Sequence, residues 1–427
     1  MAFDSSKLYH SVTLDKEKCK GCTACLKRCP TEAIRIRDGK AQITKQLCID
    51  CGECIKVCPY HAKQAVTDTF GDLEKYKYNI ALPAPALYGQ FYNLKDIDYV
   101  LNGLLKIGFD EIFEVAKATE PITDYTKKLI SEGKLQKPVI NSACPAVLRL
   151  ICVRFPSLIP HVLPVIAPVE AAAIAARREA AEKTGLSPDE IGVFFISPCA
   201  AKATTVHNPL GLERSPISGV LSMKAVYMKL LPVLSKLEDV VPISTSSLEG
   251  INWARIGGEV KALSMRKTLS VDGIDNVISL FEEIEDAEKL DIDFIEALCC
   301  SGGCISGPLT VENGYVAKMR VVEVAKHQNE KNLPRAPIAK LSEKDLSWNK
   351  EVVFRDGIYL DEDFAVAMQK MEQMEKIYAT LPQIDCGSCG SPTCKSMAED
   401  IVRGQASETD CIHKMREQFY SLTHPEK

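Results

Sequence analysis

Cysteine is the residue type whose number and spacing point to chemistry, with 18 in a chain of 427 residues. Eight lie between Cys19 and Cys58, six between Cys144 and Cys304, and four between Cys386 and Cys411. The first group is an internal repeat: Cys19, Cys22, Cys25 and Cys29, then Cys48, Cys51, Cys54 and Cys58, each half closing in Cys-Pro at Pro30 and Pro59. Thiolates at such short gaps converge on a soft metal centre. Cys386, Cys389, Cys394 and Cys411 supply four thiolates for one more site, where spacing alone leaves iron-sulfur and zinc both open. Between these groups, three loops carry cysteine beside proline or glycine: NSACPAV at 141–147, SPCAAKA at 197–203 and EALCCSGGCISGP at 296–308. The opening MAFDSSKLYHSV has neither the basic nor the apolar run of an export signal. A cytoplasmic protein is expected, in which this many cysteines serve as metal ligands and not as disulfides.

Such side chains need elements to aim them. AIRIRDGKAQI reads as two short strands around the turn Asp38-Gly39. YNIALPA and IGVFFIS read as buried strands. DIDYVLNGLLKIG, VEAAAIAARREAAEKTG and MKAVYMKLLPVLSKLED have helical spacing, with Gly185 as a C-cap. SMAEDIVRGQASETD predicts a helix ending at Gly404. Strand and helix alternation over the middle of the chain predicts an α/β domain. Each central cysteine loop follows an apolar strand-like or helical run and carries Pro or Gly, so all three read as turns able to aim side chains at a shared site.

Several classes are excluded. No G-x-G-x-x-G or Walker sequence supports a nucleotide site. The most apolar stretch, 162–176, is broken by Pro164, Pro168 and Glu170, so no membrane span is expected. With 52 Lys+Arg against 57 Asp+Glu the net charge is −5, which argues against nucleic acid and against a membrane surface as partners. The seven histidines, His61 and His413 included, are too dispersed for a metal box, and the charged stretch from Lys340 to Lys350 reads as a solvated face.

The doubled C-x2-C-x2-C-x3-C-P run resembles the bacterial two-cluster ferredoxins. That resemblance implies one [4Fe–4S] cluster on Cys19, Cys22, Cys25 and Cys58 and a second on Cys48, Cys51, Cys54 and Cys29. Two zinc sites are the alternative, without this interleaving of ligands. The C-terminal set resembles a small [4Fe–4S] module at the ends of multi-cluster redox proteins. In order and spacing, the three central loops resemble the signature segments of the [FeFe]-hydrogenase catalytic domain. The implied fold is an α+β multidomain chain: a two-cluster ferredoxin-like domain at 1–66, a hydrogenase domain at 67–378 with its active cluster between two lobes, and a helical iron-sulfur module at 379–427.

The family's active cluster, the H-cluster, is a [4Fe–4S] cubane bridged to a two-iron unit carrying CO, cyanide and azadithiolate. Residue by residue, the resemblance implies Cys144, Cys199, Cys300 and Cys304 as cubane ligands, Cys304 bridging to the two-iron unit. Lys202 matches the lysine that donates to a cyanide, so Lys202 and Cys304 carry the catalytic roles. Gly302 and Gly303 would leave room for a bulky cluster, and Ala143 and Gly303 join Lys202 as residues around it. Cys152 and Cys299 are left over, Cys152 as a core residue. The implied partners are H2 and protons, a ferredoxin or other redox or signalling protein, and the maturation proteins that install the two-iron unit.

Departures from the family pattern concern proton traffic. Ala143 stands where active members have a proton-relaying cysteine, and a methyl group carries no exchangeable proton. Gln90 replaces a glutamate, Ser197 and Leu298 replace methionines, and Ala203, Thr204 and Thr205 stand where a carboxylate is expected. Cys299 and Glu249 are candidates for the missing relay by residue type alone. Retained ligands with an altered surround resemble the sensory [FeFe]-hydrogenases that lack a PAS domain. The expectation is slow, reversible H2 chemistry in a regulatory role. The alternatives are a ferredoxin-dependent hydrogenase with a non-standard proton path and a non-enzymatic cluster carrier without the two-iron unit.

Overall fold

The computed structural model describes residues 9–94, 96–286, 290–331, 338–354, 360–361 and 363–424. The chain partitions into two compact units: Met1–Cys48, Glu53–Gln64 and Arg355–Lys427 form one, and Ile49–Gly52 with Ala65–Phe354 the other.

The larger unit is built on two parallel sheets. In the first, strands Glu111–Ile112, Tyr78–Pro83, Ile191–Ser197 and Gly219–Ser222 lie side by side in that order. The second runs Thr268–Asp272, Phe294–Leu298, Val139–Ile140. All seven residues of IGVFFIS are buried, as expected of a parallel strand covered by helices on both faces. Helix Pro168–Thr184 covers that sheet with a nearly continuous alanine face, Ala171 to Ala176, and ends where Gly185 takes φ 72°. The predicted helix at 223–239 stops earlier, at Leu234, because Pro232 leaves its last turn short of a donor. Each sheet carries its own core, Ile80, Leu82, Val193 and Ile196 in the first and Ile140, Ile295, Val277 and Phe281 in the second. Ligands in parallel α/β sheets gather beyond the carboxyl ends of the strands. That is where Cys144, Cys199 and Cys300 fall, after Val139–Ile140, Ile191–Ser197 and Phe294–Leu298 respectively.

In the smaller unit, Ile34–Arg37 and Lys40–Ile43 pair antiparallel around Asp38 and Gly39, both at positive φ, the two-residue hairpin anticipated from the sequence. Single helical turns at Ala24–Lys27 and Glu53–Lys56 each carry a cysteine of the repeat. Helices Phe364–Thr380, Cys394–Val402 and Ile412–Thr423 complete the unit, and the second of them ends just before Gly404, at φ 70°. Met374, Ile377 and Leu381 pack on Cys394 and Met397. The C-terminal residues share this unit with the N-terminal repeat because Asp400, only 3% exposed, receives Arg35 Nε at 2.7 Å and Arg37 Nη2 at 2.7 Å.

Among the described residues, no helix is long and apolar enough to cross a membrane. In the stretch from Lys340 to Lys350, Lys340, Glu343, Lys344 and Lys350 are exposed as expected of a solvated face, while Asp345 ties to Arg178 at 2.6 Å and Leu346 is buried.

Candidate functional site

Three cysteine sets can be followed from their backbones. In the larger unit, Cys144 begins helix Pro145–Arg154 and Cys199 begins helix Ala200–His207. Both therefore stand at positive helix ends, where a thiolate is favoured. The Ser197 hydroxyl accepts from the Cys199 amide at 3.1 Å, so the serine found in place of a methionine fixes the turn. Cys300 and Cys304 flank the Ser301-Gly302-Gly303 turn, and the Gly303 amide bonds the Cys300 carbonyl at 2.9 Å. The four sulfurs lie close enough to act on one another. Burial, then Cys300, Cys144 and Cys304, push the Cys199 thiol up, and burial raises the Cys304 thiol to about 12 against the pull of Lys202. Four clustered thiols that resist ionising together are a donor set that a cationic iron cluster would satisfy by taking them as thiolates.

Beside them is a cavity of about 80 Å³. Ala84, Pro85, Phe195, Leu298, Lys202 and Cys304 are among the residues that line it, with Ala143. The Lys202 ammonium donates to the Ala143 carbonyl at 3.1 Å, which holds it at the cavity wall. Trp253 also lines it, and its buried indole N–H has no acceptor among the described residues. A buried donor without an acceptor costs about 1–3 kcal/mol, so a ligand bearing acceptor atoms fits this cavity. Gly303 also packs against protein backbone. At φ 98°, a Cβ there would sit 2.8 Å from the Ala254 carbonyl oxygen and the Ile256 nitrogen. Its missing side chain thus admits the 254–256 backbone, which brings Trp253 and Ala254 to the cavity.

Two carboxylates line the same cavity, Glu259 and Glu296, and the motif reading did not single out either. Glu259 accepts from Asn141 Nδ2 at 2.8 Å. Glu296 accepts from the amides of Gly257 and Val260, both at 3.1 Å, and from the Ser270 hydroxyl at 3.3 Å. Burial and the neighbouring Glu296 push Glu259 up to about 8, and burial raises Glu296 as well. Two such groups cannot both ionise cheaply, so the pair retains a proton at neutral pH. The signal in the sequence was an acid within FIEAL, a strand buried at every position. The relay candidates chosen by residue type are elsewhere. Glu249 is exposed, and Cys299 is buried with its thiol hydrogen-bonded to Cys300 and Cys51.

The other substitutions have structural employment. Gln90 Oε1 accepts from the amides of Val311 and Glu312, both at 2.9 Å, while its Nε2 donates to the Ala86 carbonyl at 3.0 Å. Thr205 accepts from the buried Arg149 at 2.9 Å. Cys152 is a core residue of helix Pro145–Arg154.

In the smaller unit, Cys19, Cys22, Cys25 and Cys58 line one cavity and Cys386, Cys389, Cys394 and Cys411 another. Cys25 is raised by burial and by the charges of Cys19, Cys58 and Cys22, so the four sulfurs face one another. Backbone amides already aim at sulfur, Ala41 at Cys19 at 3.4 Å and Ala62 at Cys58 at 3.3 Å. Lys63 lines the first cavity, 2% exposed, and its ammonium has no hydrogen-bond acceptor among the described residues. A buried, unpaired cation requires a nearby anion, which a thiolate-bound cluster supplies. Of the set expected for a second cluster, Cys29, Cys48 and Cys54 belong to the smaller unit and Cys51 to the larger.

Parallel-sheet architecture, four gathered thiols and an adjoining cavity suit a protein that binds a thiolate-held metal cluster. The chain belongs to the iron-only hydrogenase large-subunit family: the model of that family's C-terminal domain matches residues 77–226 and 214–308. A 4Fe-4S dicluster domain matches residues 11–59, and an Fe-S cluster module matches residues 381–413. The periplasmic [Fe] hydrogenase large subunit of Nitratidesulfovibrio vulgaris is 29% identical over 367 residues, 71% of this chain and 87% of its own length. A component of the ion-translocating oxidoreductase complex of Thiobacillus denitrificans is 51% identical over 37 residues, 9% of this chain and 20% of its own. A solved [FeFe]-hydrogenase, described as revealing stepwise H-cluster assembly, aligns with TM-score 0.47 at 16% identity, over 62% of this chain and 89% of its own.

Proposed function

We propose that this chain is a slow, reversible [FeFe]-hydrogenase of regulatory role. The observation that carries the reading is one cavity bordered by Cys304 and the fixed ammonium of Lys202, with a methyl group at Ala143 and a proton-retaining carboxylate pair on the wall. Cys144, Cys199, Cys300 and Cys304 would hold the cubane, and Lys202 would donate to a cyanide of the two-iron unit. When bound, that unit with its CO, cyanide and azadithiolate ligands supplies heterolytic H2 chemistry. Ala143 cannot hand on a proton, whereas Glu259 and Glu296 can hold one and release one at the cavity. Their presence also favours the second reading, a ferredoxin-dependent hydrogenase that reaches useful rates through a carboxylate path.

The three segments 1–66, 67–378 and 379–427 divide the work. The first carries two [4Fe–4S] clusters, on Cys19, Cys22, Cys25 and Cys58 and on Cys48, Cys51, Cys54 and Cys29. The second carries the H-cluster, with Gly303 shaping its surround, and the third one more [4Fe–4S] cluster on Cys386, Cys389, Cys394 and Cys411. Electrons would be exchanged with a ferredoxin or a signalling redox protein, and maturation proteins would install the two-iron unit. Eighteen cysteines kept as ligands and thiols suit the reducing cytoplasm.

The test is turnover of fully matured protein in both directions, alongside reduction of its clusters under H2. Full cluster reduction with turnover about 10²-fold or more below that of cysteine-bearing relatives supports the regulatory role. Turnover equal to those relatives would assign bulk hydrogen chemistry instead. Clusters that H2 leaves oxidised would contradict both readings.

A further inference from the structure

The cavity of Cys386, Cys389, Cys394 and Cys411 and that of Cys19, Cys22, Cys25 and Cys58 belong to the same unit, and two contacts link residues around them. The Ile36 amide donates to the Gly390 carbonyl at 2.8 Å. Ile36 lines the first-repeat cavity, and Gly390 directly follows the ligand-set residue Cys389. Gly390 stands at φ 83°, and a Cβ there would lie 2.2 Å from the Ile36 carbonyl oxygen, so only glycine lets the two backbones meet. A second contact lies beside it. Gly387, which lines the C-terminal cavity, faces Leu26 Cδ2, at 3.1 Å from the position its Cβ would take, and Leu26 follows Cys25.

Polar contacts fix this geometry. Arg35 and Arg37 converge on Asp400, which also accepts from the Ser391 hydroxyl at 2.6 Å. Lys27 bonds the carbonyl of Asp385, and Glu32 accepts from the hydroxyls of Thr393 and Ser396. Asp400 and Ser391 are both almost wholly buried, so the junction is internal to the unit.

We propose that the C-terminal cluster exchanges electrons directly with the cluster of Cys19, Cys22, Cys25 and Cys58, across Ile36 and Leu26. One electron leaves one [4Fe–4S] cluster and enters the other, with no bond made and no proton moved. The Ile36–Gly390 and Leu26–Gly387 contacts would give that electron a path through directly touching protein atoms. The C-terminal module is then a port through which the ferredoxin-like end reports its redox state. This rests on the reading of both cysteine sets as iron-sulfur sites, but not on the chain's reaction with H2.

The experiment uses the full chain with reconstituted clusters, reduced chemically in steps and followed by metal analysis and electron paramagnetic resonance. In Cys54→Ser, which removes the second repeat cluster and any coupling to it, the expected result is a spin–spin interaction between two reduced clusters that vanishes when Cys394→Ser or Cys22→Ser is added. Asp400→Asn keeps every ligand. It should retain the iron content of the wild type while weakening the interaction, a separation that simple misfolding would not give. Interaction that survives Cys22→Ser but disappears in Cys54→Ser would overturn the proposal, as would fully iron-loaded protein without interaction. Zinc at the C-terminal set would overturn it too, whatever the chain does with H2.

Discussion

At the scale of single residues, the chemistry is set by what stands around one cavity. Ala143 places a methyl group and a carbonyl there, the carbonyl engaged by Lys202 at 3.1 Å. If the missing thiol limits the chemistry, Ala143→Cys should raise turnover by about 10²-fold, the usual worth of a positioned proton donor. Unchanged turnover in matured Ala143→Cys would place the limit elsewhere. The carboxylate pair gives a pH prediction. Glu259 titrates near 8, far above the roughly 4.3 of a free glutamate. Between those values the folded chain holds a proton that the unfolded chain releases, so this site's stabilisation is complete at low pH and declines as pH rises toward 8. Glu259→Gln should flatten the fall of Tm between about pH 5 and pH 8, as read by calorimetry across that range. A Tm profile identical to wild type would mean that Glu259 is ionised in the fold.

At the scale of elements, what the sequence made legible depended on the range of the signal. Cysteine repeats, the Asp38-Gly39 hairpin and the Gly185 helix stop are local, and each is found where its residues predicted it. The carboxylate pair is not local. Glu296 lies in a strand, Glu259 comes from a helix well before it, and Asn141 from the loop after another strand. Only the sheet brings them together, so choosing relay groups by residue type led to Glu249, which is exposed, and Cys299, which turns toward Cys51. The Gly302-Gly303 pair stands out in the sequence as room beside a cluster, and the protein neighbour that a Cβ on Gly303 would meet is the 254–256 backbone, a contact from far along the chain. Gly390 gives the element-scale prediction. Gly390→Ala meets both the positive φ, worth roughly 1–2 kcal/mol for a residue with a Cβ, and the Ile36 carbonyl at 2.2 Å. Hydrogen exchange at the Ile36 amide should then accelerate markedly. Unaltered protection at Ile36 would show that the two backbones do not meet there.

At the scale of the whole molecule, family membership was readable from three loops because a metal cluster constrains its ligands more tightly than a core constrains its hydrophobics. Architecture follows from the same constraint: two parallel sheets deliver Cys144, Cys199 and Cys300 from the ends of separate strands. In the polar surround, Gln90 and Ser197 bond backbone amides and Thr205 accepts from a buried arginine. The central claim is that this surround still encloses a working H-cluster. The most direct measurement is an infrared spectrum of anaerobically matured protein under H2 and then under argon. Sharp bands of metal-bound CO and cyanide that shift between the two gases are the predicted result. Their absence, with the cubanes fully loaded and a matured control hydrogenase showing them, would contradict the account and leave an electron or cluster carrier.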